Sequence, residues 1–232
     1  MSLTDECVAR IPVVRTNVAS RPSDGLFPLR ERTEIVTVTI RLADPDDAPA
    51  IRSIYAPVVE ETAISFESDP PTTAEIRERV ASTLPARPWL VCERDESVVG
   101  YAAASVFKDR DAYRWAVDVS AYVAADYRRR GVGRGLYESL LTVLERQGFC
   151  SAHAVVALPN PASVGLHESV GFERVGVHEA VGYKHGEWRD VGRWERSLRD
   201  RPADPDEPVS VASLADETLE AAFAAGAALV ER

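Results

Sequence analysis

The chain has 232 residues, with 37 acidic against 27 basic side chains and a net charge of -10, long enough to bury a substantial core in one large domain or in a domain with appendages. That acid excess disfavours a general nucleic-acid binder, whose affinity would come from Lys and Arg clustered on one face. Cys7, Cys92 and Cys150 are far apart and form no C-x-x-C pair, which argues for a reducing cytoplasm over a disulfide framework or zinc site, and no stretch has a signal-peptide core or the roughly 20 apolar residues of a membrane span.

Residues 1 to 33 carry Pro12, Pro22, Pro28 and a Ser-Asp-Gly turn without sustained periodicity, and are expected to form an irregular extension. Alternation from Ile35 to Leu42 predicts the first strand of a domain spanning residues 34 to 198. Asp44-Pro45-Asp46-Asp47 supplies the capping acid and first-turn proline of a helix bearing Ile51, Ile54, Tyr55 and Val58. Pro57 is expected to end or bend that helix near Tyr55. The polar stretch from Glu60 to Phe66 suits a loop over a pocket. Thr72 or Thr73 should then cap a second helix through Ile76, Val80 and Leu84, closed by Pro85 and Pro88.

Residues 89 to 92 and 97 to 107 read as an antiparallel hairpin, and residues 113 to 123 as a third strand. After an arginine-glycine turn, Leu136, Leu140, Leu141 and Leu144 recur at helical spacing as far as Gln147, where Gly148 is a good stop. His153 to Ala157 is a short, nearly all-apolar strand, as a central position requires. A helix over Val164, Leu166, His167 and Val170 and a final hairpin turned at His185-Gly186 complete the order β-α-α-β-β-β-α-β-α-β-β. That order predicts an α/β (α+β) fold, a mixed and mostly antiparallel sheet flanked by helices. Residues 199 to 210 form an acidic, proline-rich linker. Residues 211 to 232 read as an alanine-rich helix whose apolar flank, Val211, Leu214, Leu219, Phe223 and Val230, is expected to dock on the domain.

The turn at the centre of this order runs Arg128-Arg129-Arg130-Gly131-Val132-Gly133-Arg134-Gly135. Its glycines let backbone approach a ligand, and the helix that follows offers unpaired N–H groups and the positive end of its dipole. Such a turn also serves as a plain tight connection, with its arginines merely solvated. It is no P-loop, since no Gly-Lys-Ser/Thr follows, and its third glycine is misplaced for a dinucleotide fingerprint. The spacing from Arg128 to Gly133 matches R/Q-x-x-G-x-G/A and so resembles the acetyl-CoA diphosphate loop of the GNAT N-acyltransferases. Tyr55, Ala63-Ile-Ser-Phe66, Lys108-Asp-Arg-Asp-Ala-Tyr113 with Trp115, Leu158-Pro-Asn160, Leu166-His-Glu168 and Gly182-Tyr-Lys-His-Gly-Glu-Trp188 narrow the resemblance. They look like the phosphinothricin and methionine sulfone/sulfoximine N-acetyltransferases over about residues 37 to 198.

The resemblance implies a GNAT sheet of about six to seven strands, acetyl-CoA as cosubstrate, and a homodimer. It places the cofactor on main-chain groups of Ala121, Tyr122 and Val123, on Arg128, Arg129, Arg130, Gly131, Val132, Gly133 and Arg134, and on Asn160, which also reads as a helix cap. Attack by an amine on a thioester needs a group that removes a proton from ammonium. Asp118 matches the position of the family's general-base glutamate, one methylene shorter; otherwise it is an acid paired with an arginine. His167 matches a histidine of that branch and is a candidate for handling the thiolate proton, although a histidine on an inner helix face is often a satisfied packing residue. Lys108, Arg110 and Tyr113 are candidates for the anionic end of an amino-acid substrate, or simply a solvated turn, and Phe66 for a wall of its pocket.

No metal site is expected, because His153, His178 and His185 are not spaced as ligands. The expected function is direct acetyl transfer to the α-amino group of a small anionic amino acid, with no nucleic-acid or membrane partner. The alternatives are another amine acceptor, such as a polyamine or a protein N-terminus, and an acyl-CoA-binding module without catalysis. A polyamine would want acids where Lys108 and Arg110 stand.

Overall fold

The computed structural model describes residues 14–15 and 34–231. Two short strands, β1 (Val14–Arg15) and β2 (Glu34–Ile35), pair antiparallel; the remainder of the expected irregular extension lies outside the described residues. The strand anticipated from Ile35 to Leu42 is therefore divided, and the main sheet begins at β3 (Val38–Leu42). Between the two, Thr37 N–H donates to Asp95 Oδ1 and its carbonyl accepts from the Asp95 N–H, each at 3.0 Å.

Asp44 caps the next turn with a full capping box, its side chain accepting from Asp46 N–H and Asp47 answering back. Helix α1 (Ala48–Glu61) then runs straight past the stop expected at Pro57. Pro57 is exposed, whereas Ile54, Tyr55, Val58 and Val59 around it are buried, so apolar burial on both sides offsets the one hydrogen bond that proline removes. Helix α2 (Thr73–Thr83) starts on a second capping box between Thr72 and Glu75.

Strands β4 (Trp89–Arg94), β5 (Ser97–Val106) and β6 (Ala116–Val123) follow. The segment before β6 is a 3-10 turn at Asp111–Tyr113 rather than strand. Helix α3 (Val132–Gln147) ends at Gly148, left-handed with φ +100°. Strand β7 (Ser151–Leu158), helix α4 (Pro161–Ser169), and the hairpin β8 (Glu173–Lys184) and β9 (Glu187–Ser197) complete the sheet. His185 and Gly186 both have positive φ, as a two-residue hairpin turn with right-handed strand twist demands.

The seven strands lie in the order β3-β4-β5-β6-β7-β9-β8, and every pair is antiparallel except β6 with β7. Alternating residues feed two cores. Val117, Val119, Ala152, Ala154 and Trp194 face α3, and Tyr101, Ala103 and Val91 face α1 and α2. The C-terminal helix is shorter than its apolar stripe promised: α5 (Asp216–Ala227) follows a separate 3-10 turn at Val211–Ser213, because Leu214 and Ala215 are extended. It lies along α3, where Ser139 Oγ donates to Ala222 O at 2.9 Å.

Candidate active site

The arginine-glycine turn ends in Gly131 with φ +79°, in the left-handed region that favours glycine. The first intrahelical bond of α3 runs from Gly135 N–H to Gly131 O at 2.8 Å. The N–H groups of Val132, Gly133 and Arg134 thus have no intrahelical acceptor and lie at the positive end of the helix dipole. Arg128, Arg129 and Arg134 are exposed around them, and Arg130 sits over the Tyr127 ring at 5.8 Å. Arg128 Nε donates to Val123 O at 3.2 Å, tying the turn to the end of β6. A cradle of this kind fits a diphosphate.

The only parallel pairing of the sheet is short. Strands β6 and β7 match at Ala116 with Ser151, Val117 with Ala152 and Asp118 with His153, and no further. Beyond Asp118, β6 continues to Val123 paired with β5 alone, and β7 continues to Leu158 paired with β9 alone. The sheet is split there, and along that slot the main chain from Val119 to Val123, Ala121 and Tyr122 included, has no strand partner on the β7 side. Main-chain donors so exposed can bind an amide-bearing arm or polarise a carbonyl. The α3 cradle begins where β6 ends.

Asp118 is the last rung before the split. One carboxylate oxygen, Oδ1, is buried without a hydrogen-bond partner. Burial pushes its pKa up to about 6, against the pull of Arg193 and Lys108. A half-buried carboxylate with spare acceptor capacity and a pKa near neutrality is suited to receive a proton. Arg193 acts on the carboxylate electrostatically, but among the described residues no arginine forms a salt bridge with it.

Lys108 therefore contributes to the electrostatics of Asp118, although it is exposed and also lies 5.5 Å above the Phe107 ring. Arg110 and Tyr113 are exposed on the same turn. With Lys108 they line a cavity of about 600 Å³ shared with Pro85, Phe149 and Glu207, which does not include Asp118. Arg193, on β9, was not anticipated: its closeness to Asp118 depends on strands joined across the sheet, which no local pattern announces. Phe66 packs on Gly182 of β8 so tightly that a β-carbon there would meet the ring at 2.1 Å. The loop carrying Phe66 is held by Lys184, whose Nζ donates to the carbonyls of Val59, Ser65 and Glu67 at 2.7–2.8 Å.

His167 stands apart. Its ring is 5% exposed. Nδ1 lies 2.7 Å from Ser163 O, an obligate acceptor, so Nδ1 carries the proton and Nε2 accepts from Tyr137 O–H at 2.8 Å. Burial lowers its pKa. Both ring nitrogens are thus engaged inside the protein, an arrangement that a satisfied packing histidine would show. Asn160 caps α4 through Oδ1, accepting from Ser163 N–H at 3.1 Å, which leaves its amide N–H₂ available. Among the described residues no group of three or more His, Cys, Asp or Glu could hold a metal.

Residues 40–192 match the family model described as an acetyltransferase (GNAT) domain. A phosphinothricin N-acetyltransferase of Streptomyces viridochromogenes is 40% identical over 168 residues, 72% of this chain and 91% of that enzyme. An L-methionine sulfoximine/L-methionine sulfone acetyltransferase of Salmonella typhimurium is 34% identical across 73% of this chain and 99% of its own length. Among solved structures, a GNAT superfamily phosphinothricin acetyltransferase from Sinorhizobium meliloti in complex with AcCoA superposes with a TM-score of 0.71 at 34% identity, covering 74% of this chain and 95% of that one. The family match over residues 40–192 and these identities show that the chain belongs to the GNAT acetyltransferases.

Proposed function

We propose that the chain transfers the acetyl group of acetyl-CoA directly to the α-amino group of a small anionic amino acid of the phosphinothricin or methionine sulfoximine/sulfone type. The observation that carries this reading is the position of Asp118, at the last paired rung beside the slot, with an unpartnered oxygen and a pKa near 6. The N–H groups of Val132, Gly133 and Arg134, with Arg128, Arg129, Arg130 and Gly131, hold the diphosphate, and the free main chain from Ala121 to Val123 with the Asn160 amide holds the pantetheine arm. Acetyl-CoA supplies the thioester. Asp118 takes a proton from the substrate ammonium, directly or through one water that its short side chain leaves room for, and the freed amine attacks the carbonyl. As the tetrahedral adduct collapses the C–S bond breaks and the attacking nitrogen loses its second proton to solvent, while the thiolate leaves into the positive field of the α3 N-terminus and takes up the proton that Asp118 removed from the ammonium. No acyl-enzyme is required, because Cys92 and Cys150 are buried and burial pushes the Cys92 thiol up to about 12.

Lys108 and Arg193, the two cations that act on Asp118, suit the anionic end of the acceptor, and they oppose a cationic polyamine. Arg110 and Tyr113 stand on the same turn as Lys108 and offer a further cation and a hydroxyl. The exposed Val155, Val175, Val181, Tyr183 and Trp188 on the β7-β9-β8 side of the sheet support a homodimer through that face, and the reduced buried cysteines suit a cytoplasmic setting. Thiol release from acetyl-CoA, measured over a panel of amino acids, polyamines and peptide N-termini, tests the acceptor. Turnover with phosphinothricin or methionine sulfone is the expected result, and turnover with polyamines alone would overturn it.

A further inference from the structure

Helix α5 and the residues after it lie outside the matched family region, 40–192. They run antiparallel along α3 toward the diphosphate cradle, touching it at successive steps. Ala222 O accepts from Ser139 Oγ. Gly226 and Gly135 approach so closely that a β-carbon on Gly226 would lie 2.3 Å from the Gly135 carbonyl oxygen. A β-carbon on Gly131 would lie 2.1 Å from the Leu229 carbonyl oxygen, so Gly131 is required by its neighbour as well as by its φ of +79°. At the end of the run the Glu231 N–H donates to the Arg130 carbonyl at 2.7 Å, while buried Arg94 holds the Glu231 carbonyl at 2.8 Å.

The Arg130 carbonyl and the Gly131 N–H belong to one peptide plane. In a trans peptide they point in opposite directions. A donor fixed on the carbonyl therefore orients and polarises the N–H on the other side, away from the C-terminal segment and among the free donors that begin α3. We propose that the C-terminal segment is a positioning clasp: Glu231 N–H on Arg130 O, backed by the Gly226–Gly135 contact and the Arg94 anchor, sets the Arg130–Gly131 peptide in the orientation that receives the coenzyme A diphosphate. This rests on reading that turn as the coenzyme site. Glu231 acts through the main chain, so its side chain is irrelevant and its N–H is essential.

The test uses full-length variants. Glu231→Pro deletes the N–H and is expected to raise the Kd of CoA, read by calorimetry, and the KM for acetyl-CoA by about five- to tenfold. The kcat and the KM for the amine should be unchanged. Glu231→Ala retains the N–H and should bind as the parent does, a difference that loss of a side-chain role would not produce. Gly226→Ala, which forces α5 away from α3 at a point remote from residue 231, should reproduce the effect of Glu231→Pro. Arg128→Ala reports on the site itself. If Arg128→Ala weakens CoA while Glu231→Pro and Gly226→Ala do not, the clasp is wrong and the coenzyme site stands. If Arg128→Ala leaves CoA affinity untouched, the site assignment fails first, and the clasp with it.

Discussion

Asp118 and His167 are both ionisable groups drawn at least partly out of water, yet their surroundings end in opposite places. His167 sits in a closed pocket between α3 and α4, against Tyr137 and Phe172, with a donor and an acceptor matched to its two nitrogens. Asp118 sits where β6 and β7 part, and one of its oxygens has nothing to bind. Burial alone does not make a reactive group. The unmet hydrogen-bonding capacity does, because that capacity is what a substrate proton or a bridging water can occupy.

A series of measurements would break or sharpen this contrast. The largest effect is expected from Asp118→Asn, which should lower kcat by about a hundred- to ten-thousandfold while leaving CoA affinity intact, since only proton removal is lost. Full turnover of that variant at neutral pH would return Asp118 to the scaffold. Replacing Lys184 by Met should raise the KM for the amine roughly tenfold with little change in the KM for acetyl-CoA, because the Ser65 and Glu67 carbonyls of the loop bearing Phe66, and Val59 O of α1 beside it, lose their donor. On the other side of the contrast, His167→Phe should cost about 1–3 kcal/mol in chemical denaturation by orphaning the buried Tyr137 hydroxyl. Its kcat should barely change, and a large fall in kcat without a stability loss would show that the imidazole handles protons after all.

The smallest effect concerns pH. With Asp118 titrating at about 6, kcat/KM for the parent should fall as pH drops through that value. Arg193 and Lys108 hold the carboxyl down against its burial. Arg193→Gln removes one of those cations, so the acid limb should move to higher pH, and a limb that stays in place would separate Arg193 from the base. The same raised pKa carries a stability signature. The native state holds the Asp118 proton more tightly than the unfolded chain, so this group's contribution is complete below about 3.8 and is lost as pH rises through about 6. Asp118→Asn should accordingly melt a few degrees above the parent at pH 8 and at the parent's temperature in strong acid.

The elements that announce themselves locally were legible in the sequence. The capping acids at Asp44, the leucine spacing of α3, the glycine stop at Gly148 and the His185-Gly186 hairpin each depend on a few neighbouring residues, and each appears where its chemistry placed it. Pro57 misled because a helix boundary is a competition, and the buried residues on either side of it are contributed by tertiary packing that the local rule omits. The candidate site was readable as a strand, turn and helix. Its electrostatics were not, since Arg193 reaches Asp118 only through the order in which strands join. The engagement of His167 by Tyr137 joins residues 30 apart on different helices, and the sequence presents them as unrelated. The meeting of Gly226 with Gly135 was hidden for a similar reason: a glycine in a helix reads as weakness until the second backbone that needs the space is known.

The three-rung seam between β6 and β7 leaves the protein with an unfinished joint at its centre. A chain that zipped those strands together along their full length would be a sturdier object and would have no room for a guest. On the proposed site the coenzyme would complete that joint, so amide protons from Val119 to Val123 that face the gap should trade for deuterium freely in the empty protein and slow sharply once coenzyme is added.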